Sequence, residues 1–399
     1  MQLATRLRSV RGSATSGARR RAQQLAAAGT GVINLAAGEL PDPPPPVVLR
    51  ALAGAATAGG TNLYAATSGV TELRAALARR IAPRLGGTDL PADQVLITCG
   101  AKQALYLTAM VLFGAGDDVL LPVPAWGTFE AQLALAGARA VRVETGADRH
   151  RPTAAKLEAA LTPATRGVLL NTPNNPTGAV YDAETIAVIT DFAIRHDLWL
   201  VIDESYADLV HAPARHVHPL EVRPQAGART VSIGSFSKSF AVTGWRVGYL
   251  YGPGPVVAGT ASLQSHLTSG TANVLQQALL PAARGEADEA VEAALARLHR
   301  RLRTVEESLE RMPEVSWNRP EGTFYAFLDF GRLLGRTWSG RPVASIDELA
   351  DRLLTATGVA TTPGTAFADA THLRLSLTVS DDELVEALHR MERFINDVD

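Results

Sequence analysis

Ser235-Phe236-Ser237-Lys238-Ser239-Phe240, followed by Gly244-Trp245-Arg246-Val247-Gly248-Tyr249, decides the fold of this chain. A lysine stands among small hydroxyl residues just after the β-like run 230–234. Eight residues on, an arginine sits inside a glycine-punctuated, aromatic run. An amine on an ordered segment forms a Schiff base with an aldehyde, and a guanidinium nearby holds a phosphate by paired hydrogen bonds. By itself the stretch is equally an exposed lysine in a serine-rich turn.

Composition separates the two. Of the 38 Lys and Arg residues, only Lys102, Lys156 and Lys238 are lysine. A chain that uses arginine for nearly every cation keeps a lysine where the side chain must lose its proton and attack a carbonyl. An aldehyde that also carries a phosphate describes pyridoxal 5′-phosphate.

The 399 residues, 46% hydrophobic and 20% charged, suffice for a large core and for two or three units, or one large domain with a satellite. A net charge of −2 with the signs interspersed points to neither nucleic acid nor a membrane surface. The single Cys99 excludes an internal disulfide framework and a cysteine-based zinc site, and fits a reducing, cytoplasmic setting. The basic N-terminus (Arg6, Arg8, Arg11) has no apolar signal segment behind it, and no apolar run approaches the roughly 20 residues of a membrane span. His211, His216 and His218 cluster in one loop without an apparent carboxylate or thiol partner set, so no metal is expected.

Along the chain, Pro41-Asp42-Pro43-Pro44-Pro45-Pro46 reads as a stiff crossing between units. Short apolar strands then alternate with amphipathic helices, which predicts a mostly parallel sheet covered on both faces. Beyond about residue 275 the pattern changes to a long charged helix at 289–309, strands at 324–329 and 373–377, and helices at 346–355 and 382–394. The expected division is an arm and part of a small domain at 1–45, a large cofactor-binding domain at 46–275, and the rest of the small α+β domain at 276–399.

Ligands collect at the carboxyl ends of strands in such sheets. After the strand at 95–98 comes Gly100-Ala101-Lys102, an anion site at a helix start or an ordinary turn. After 119–121 comes Trp126, which either stacks on a flat ring or fills the core. After 168–170, Asn171-Thr172-Pro173-Asn174-Asn175-Pro176-Thr177-Gly178 makes a rigid turn able to fix one amide. After 198–202 comes Asp203-Glu204-Ser205-Tyr206. A buried Asp203 needs a positive partner, which a pyridinium nitrogen supplies; a helix cap is the alternative. Arg374, a cation on an otherwise apolar strand, suits capture of an α-carboxylate, or lies exposed on an edge strand.

Together these motifs resemble the fold-type I pyridoxal-phosphate enzymes of aminotransferase class I/II, from about Ser13 to Phe394. Ser13-Ala14-Thr15, Asn34-Leu35-Ala36-Ala37-Gly38-Glu39, Gly69-Val70-Thr71-Glu72-Leu73-Arg74 and Thr362-Pro363-Gly364-Thr365-Ala366-Phe367 look like the prokaryotic-type aspartate aminotransferase subgroup. The resemblance implies an α/β large domain with a mostly parallel seven-stranded sheet plus a smaller α+β domain into which the N-terminal arm packs. It implies that Lys238 holds the cofactor, that Arg246, Ser235 and Gly100-Ala101-Lys102 hold its phosphate, and that Trp126 stacks on its ring. Asn175 and Tyr206 would meet the phenolic oxygen, Asp203 the ring nitrogen, and Arg374, Asn175 and Gly38 the substrate. Tyr64 matches a tyrosine that reaches the neighbouring subunit's phosphate, hence a homodimer with sites at its interface. Lys102, with hydroxyls near Ser13 and Thr15, would meet a distal carboxylate.

Two departures bear on specificity. The family's Gly-Glu-Pro-Asp-Phe is here Gly38-Glu39-Leu40-Pro41-Asp42, and no arginine lies in 262–278, where another subgroup places one for a distal carboxylate. The expected activity is ping-pong transfer of an amino group between an L-amino acid and a 2-oxo acid, with aspartate or glutamate as a candidate substrate. The alternative is a β-eliminating lyase or cyclase on the same scaffold.

Overall fold

The computed structural model describes residues 12, 14–27 and 31–398. Seven short segments, all but the edge strand β3 mainly apolar, form one sheet: β1 (Val95–Thr98), β2 (Asp118–Val123), β3 (Arg139–Glu144), β4 (Thr165–Asn171), β5 (Trp199–Asp203), β6 (Thr230–Ser235) and β7 (Gly248–Tyr251). Their order is β1-β7-β6-β5-β4-β2-β3. Only β7 runs antiparallel to its neighbours.

Side-chain alternation explains why helices cover both faces. Val119, Leu121, Leu169 and Val201 join one apolar cluster with Leu105 and Val256, which belong to helices Ala101–Leu112 and Gly254–Leu267. The residues between them, Leu120, Val168, Leu170 and Leu200, join another with Ile186, Ile189 and Phe192 of helix Ala183–Arg195.

The register sets the carboxyl ends in a row. Asn171 pairs with Asp203, Asp203 with Ile233, Ser235 with Gly248, and Gly248 with Thr98. Four strands thus hand their outgoing turns to the same place.

A second sheet is antiparallel: β8 (Ser316–Trp317), β9 (Tyr325–Asp329), β10 (Thr362–Pro363) and β11 (His372–Ser376), in the order β10-β11-β9-β8. Ile33–Asn34 pairs in parallel with Val359–Ala360, which ties the N-terminal segment to this unit. Helix Asp381–Asn396 starts at a capping box, in which Ser380 and Glu383 satisfy each other's backbone N–H groups.

Helices Gly254–Leu267 and Asn273–Ala278 occupy a stretch where no element was expected. Gly, Ala, Ser and Thr blur the apolar stripe of the first, so its helical face is set by what it packs on: Val256, Val257, Thr260 and Gln264 are its buried residues. Asn273–Ala278 packs on helix Pro46–Thr57 and runs through residue 275.

The loop histidines do have a carboxylate partner, contrary to expectation. His216 Nε2 lies 3.0 Å from Glu204 Oε2 and His218 Nε2 3.6 Å from Glu204 Oε1, all buried, with Tyr251 donating to the same carboxylate at 2.8 Å. Sequence spacing hides this, because Glu204 leaves β5 well before the loop. Among the described residues, no group of three or more His, Cys, Asp and Glu could hold a metal. No described helix is long and apolar enough to cross a membrane.

Candidate active site

A cavity of about 420 Å³ lies over the row of strand ends and is closed on the other side by residues of the second sheet. Lys238, just past β6, donates from Nζ to the Gly38 carbonyl at 2.6 Å. Burial first, then the Arg374 and Arg246 charges, push its pKa down to about 8, against the opposing pull of Glu39 and Asp203. The neutral, nucleophilic amine is therefore far more populated near neutral pH than for an ordinary lysine, though the charged form still predominates at pH 7.

Asp203 ends β5 and is 4% exposed. Its carboxylate accepts the Ser205 N–H at 2.9 Å, the bond a capping role would make. Burial nevertheless pushes its pKa up to about 6, so the site favours a cationic partner for it. Asn171, across the β4–β5 register, donates from Nδ2 to the Asp203 carbonyl at 3.0 Å and accepts the Asn175 N–H at 2.8 Å. The rigid proline turn is thereby fastened to the strand carrying the acid.

Arg374 is no edge residue. It sits on β11 between β9 and β10, 3% exposed. It donates to Asn175 Oδ1 at 2.9 Å and to the Ala36 carbonyl at 3.2 Å, and its guanidinium lies 4.1 Å from the centre of the Tyr325 ring. Its buried Nε has no partner. Among the described residues no carboxylate pairs with the group, which leaves it suited to an anionic guest.

Arg246 adopts a left-handed backbone (φ 57) and donates to the Thr243 carbonyl at 2.9 Å. Gly100 (φ 79) explains how its guanidinium fits: a Cβ there would collide with Arg246 Nη2. Helix Ala101–Leu112 starts at this point, so its free N–H groups and one guanidinium share the same end of the cavity.

Lys102 lies 4.7 Å from the centre of the Trp126 ring, and both line the cavity. Partial burial and the Arg246 charge draw the Lys102 pKa below its usual value. Tyr206 is 5% exposed and holds its hydroxyl 3.2 Å from that of Tyr325.

The cavity thus brings together Gly38, Ala101, Lys102, Trp126, Asn175, Asp203, Tyr206, Ser235, Lys238, Arg246 and Arg374. Tyr64 is not among them. It is 96% exposed, which also rules out a plain core role within this chain. Ser13 and the side chain of Thr15 lie outside the described residues. Seven lining residues were not assigned to the site from sequence: Ala36, Glu39, Asn171, Ser205, Ser237, Thr243 and Tyr325. Thr243 donates to Glu39 at 2.8 Å. The signal for Tyr325 was a hydroxyl beside the apolar run 326–328.

The donor set fits a phosphorylated pyridine aldehyde at each point: an amine of lowered pKa, a buried carboxylate short of a cation, a guanidinium beside a helix start, and an indole at the wall.

The family model for aminotransferase class I and II matches residues 30–391. An aspartate aminotransferase of Streptomyces avermitilis is 36% identical over 400 residues, covering 99% of this chain and 97% of the relative. An aspartate/prephenate aminotransferase of Thermus thermophilus is 35% identical, with 98% of each covered. The crystal structure of the aspartate aminotransferase from Rhizobium meliloti superposes with a TM-score of 0.95 at 32% identity, over 100% of both chains.

Proposed function

The chain belongs to the class I and II aminotransferases, and on that premise we propose that it exchanges amino groups between an acidic L-amino acid, aspartate or glutamate, and a 2-oxo acid, as a cytoplasmic homodimer. One observation carries the assignment of roles. A single cavity holds a lysine with its pKa lowered to about 8, a buried acid, and the two guanidiniums of Arg246 and Arg374.

The enzyme depends on pyridoxal phosphate, which when bound supplies an aldehyde to take up the amino group and a ring that draws electrons from Cα. Lys238 would hold it covalently. Arg246, Ser235, Gly100 and the N–H groups of Ala101 and Lys102 would bind its phosphate, Trp126 would cover its ring, and Asn175 and Tyr206 would meet its phenolic oxygen. Asp203 would keep a proton on the ring nitrogen, in keeping with a carboxylate that burial leaves short of a cation. Arg374 would grip the substrate α-carboxylate beside Asn175 and the Gly38 backbone. With the carboxylate fixed, the freed Lys238 amine moves the proton at Cα. Lys102 is the cation left over at the wall for a distal carboxylate.

The reading takes 46–275 as the cofactor-holding unit, with 1–45 and 276–399 forming the other. The parallel pairing of Ile33–Asn34 with Val359–Ala360 supports that assignment. A dimer is supported by the exposure of Leu63 (69%), Tyr64 (96%) and Leu267 (58%).

The test is borohydride reduction of the cofactor-loaded protein with peptide mapping, followed by a single-turnover absorbance screen of amino acids. The expected result is an adduct at Lys238, with aspartate or glutamate bleaching the cofactor band and releasing keto acid without ammonia. An unmodified Lys238 would overturn the assignment of roles, and ammonia release would point to elimination.

A further inference from the structure

A second cavity, of about 570 Å³, lies where the unit of β1–β7 meets the segment leading into β9. Four arginines line it, Arg149, Arg151, Arg215 and Arg319, against two carboxylates, Asp182 and Glu321. Arg151 binds both of those acids by itself, through Nη1 to Asp182 at 2.8 Å and Nη2 to both Glu321 oxygens at 2.8 Å. Within the cavity the four arginines outnumber the two carboxylates by two. Arg215 reaches away to Glu221 at 2.7 Å and Arg319 to Glu306 at 3.5 Å. Arg149, held in a left-handed backbone (φ 54), has no ion-pair partner among the described residues.

An independent feature of the same wall also points to a guest. His211 lines the cavity at 3% exposure, and its Nε2 lies 2.9 Å from the Thr323 carbonyl, which makes Nε2–H the donor. Its Nδ1 is buried with no partner. A buried lone pair without a donor is costly unless something brings one. Burial, then the His299 and Arg319 charges, hold the His211 pKa down to about 4; an anion beside Arg319 opposes the charge contribution and favours a proton on Nδ1, which then donates to it.

We propose that this cleft binds a small polyanion bearing phosphate or carboxylate groups, held chiefly by Arg149, Arg215 and Arg319. Such a ligand bridges the two units. Arg319 stands next to the 321–323 segment, whose backbone is bonded to the loop behind Asn175: the Glu321 N–H donates to the Gly178 carbonyl at 2.9 Å and the His211 N–H to the Glu321 carbonyl at 2.7 Å. Two residues past Thr323 is Tyr325, in the active cavity.

The experiment titrates the cofactor-loaded enzyme calorimetrically with pyrophosphate and, separately, citrate, while following cofactor absorbance. We expect saturable binding of one anion per chain to at least one of the two, with the absorbance unchanged. The preference between the probes distinguishes phosphoryl from carboxylate ligands. In Arg149→Ala/Arg319→Ala, and in the milder Arg149→Gln, affinity should fall, by about tenfold or more in the double variant. Arg142→Ala, which removes a surface arginine paired with Glu130, should bind as the parent does. No saturable binding of either probe would overturn the proposal. So would unchanged affinity in the double variant, an equal loss in Arg142→Ala, or binding that tracks a cofactor absorbance change.

Discussion

A lysine amine surrounded by two guanidiniums and an apolar wall is a different reagent from a surface lysine. The native Lys238 releases its proton near pH 8, whereas the unfolded chain holds it to about its ordinary 10.5. Between those values the unfolded state binds more protons, so stability of the cofactor-free protein rises with pH across that window. Urea midpoints measured at pH 7.5 and 10 should differ by more in the parent than in Lys238→Met, after allowing for groups common to both. Reaction of the cofactor-free protein with an aromatic aldehyde should likewise rise through about pH 8; a rise centred above pH 10 would mean the amine is not perturbed. For Arg374, replacement by alanine removes a buried charge-assisted pair and should lower kcat/KM by about 30-fold to 1,000-fold, an effect of roughly 2–4 kcal/mol. Arg374→Lys should recover little of it, because an ammonium cannot present the planar fork that grips a carboxylate. Steady-state kinetics on both variants decide this.

At the level of elements, the site depends on strands that end together and on one turn without a side chain. Gly100 follows β1, and helix Ala101–Leu112 starts directly after it. Gly100→Ala would force a left-handed alanine and push its Cβ into the Arg246 guanidinium. The expected result is a loss of about 1–3 kcal/mol of stability together with weaker cofactor retention. Thermal melts and cofactor release on dialysis would check it. Retention equal to the parent would mean Arg246 can bind from another position. The buried Glu204 group works at the same scale: it anchors the loop of His216 and His218 beneath the end of β5.

For the whole molecule, the decisive question is what covers Tyr64. If it completes a neighbour's site, Tyr64→Ala and Lys238→Ala are each inactive but complementary. Refolding an equal mixture should then restore about a quarter of parental activity, since half the dimers are hybrids with one intact site each. Activity that stays at the level of the separate variants would count against a shared site.

Much of this protein was legible in the order of its residues. Strand-turn-helix units are local, so Lys238, Asp203, Asn175 and the Gly100 turn could each be placed at a strand end from hydrophobic pattern and turn chemistry alone. Their membership of one site followed from the rule that such ends converge. The three-dimensional structure alone decided whether Arg374 is buried or exposed, since that depends on β11 lying between β9 and β10 rather than at an edge. It alone set the Tyr325 hydroxyl against that of Tyr206, residues 119 positions apart, and Arg151 against Glu321, 170 apart. Helix Gly254–Leu267 was missed for a related reason: its small, polar sequence carries little periodicity, and packing rather than propensity makes it a helix. Local chemistry is written in the spacing of neighbouring residues; the electrostatic surroundings that set a pKa or free a guanidinium come from chain segments whose proximity exists only after folding.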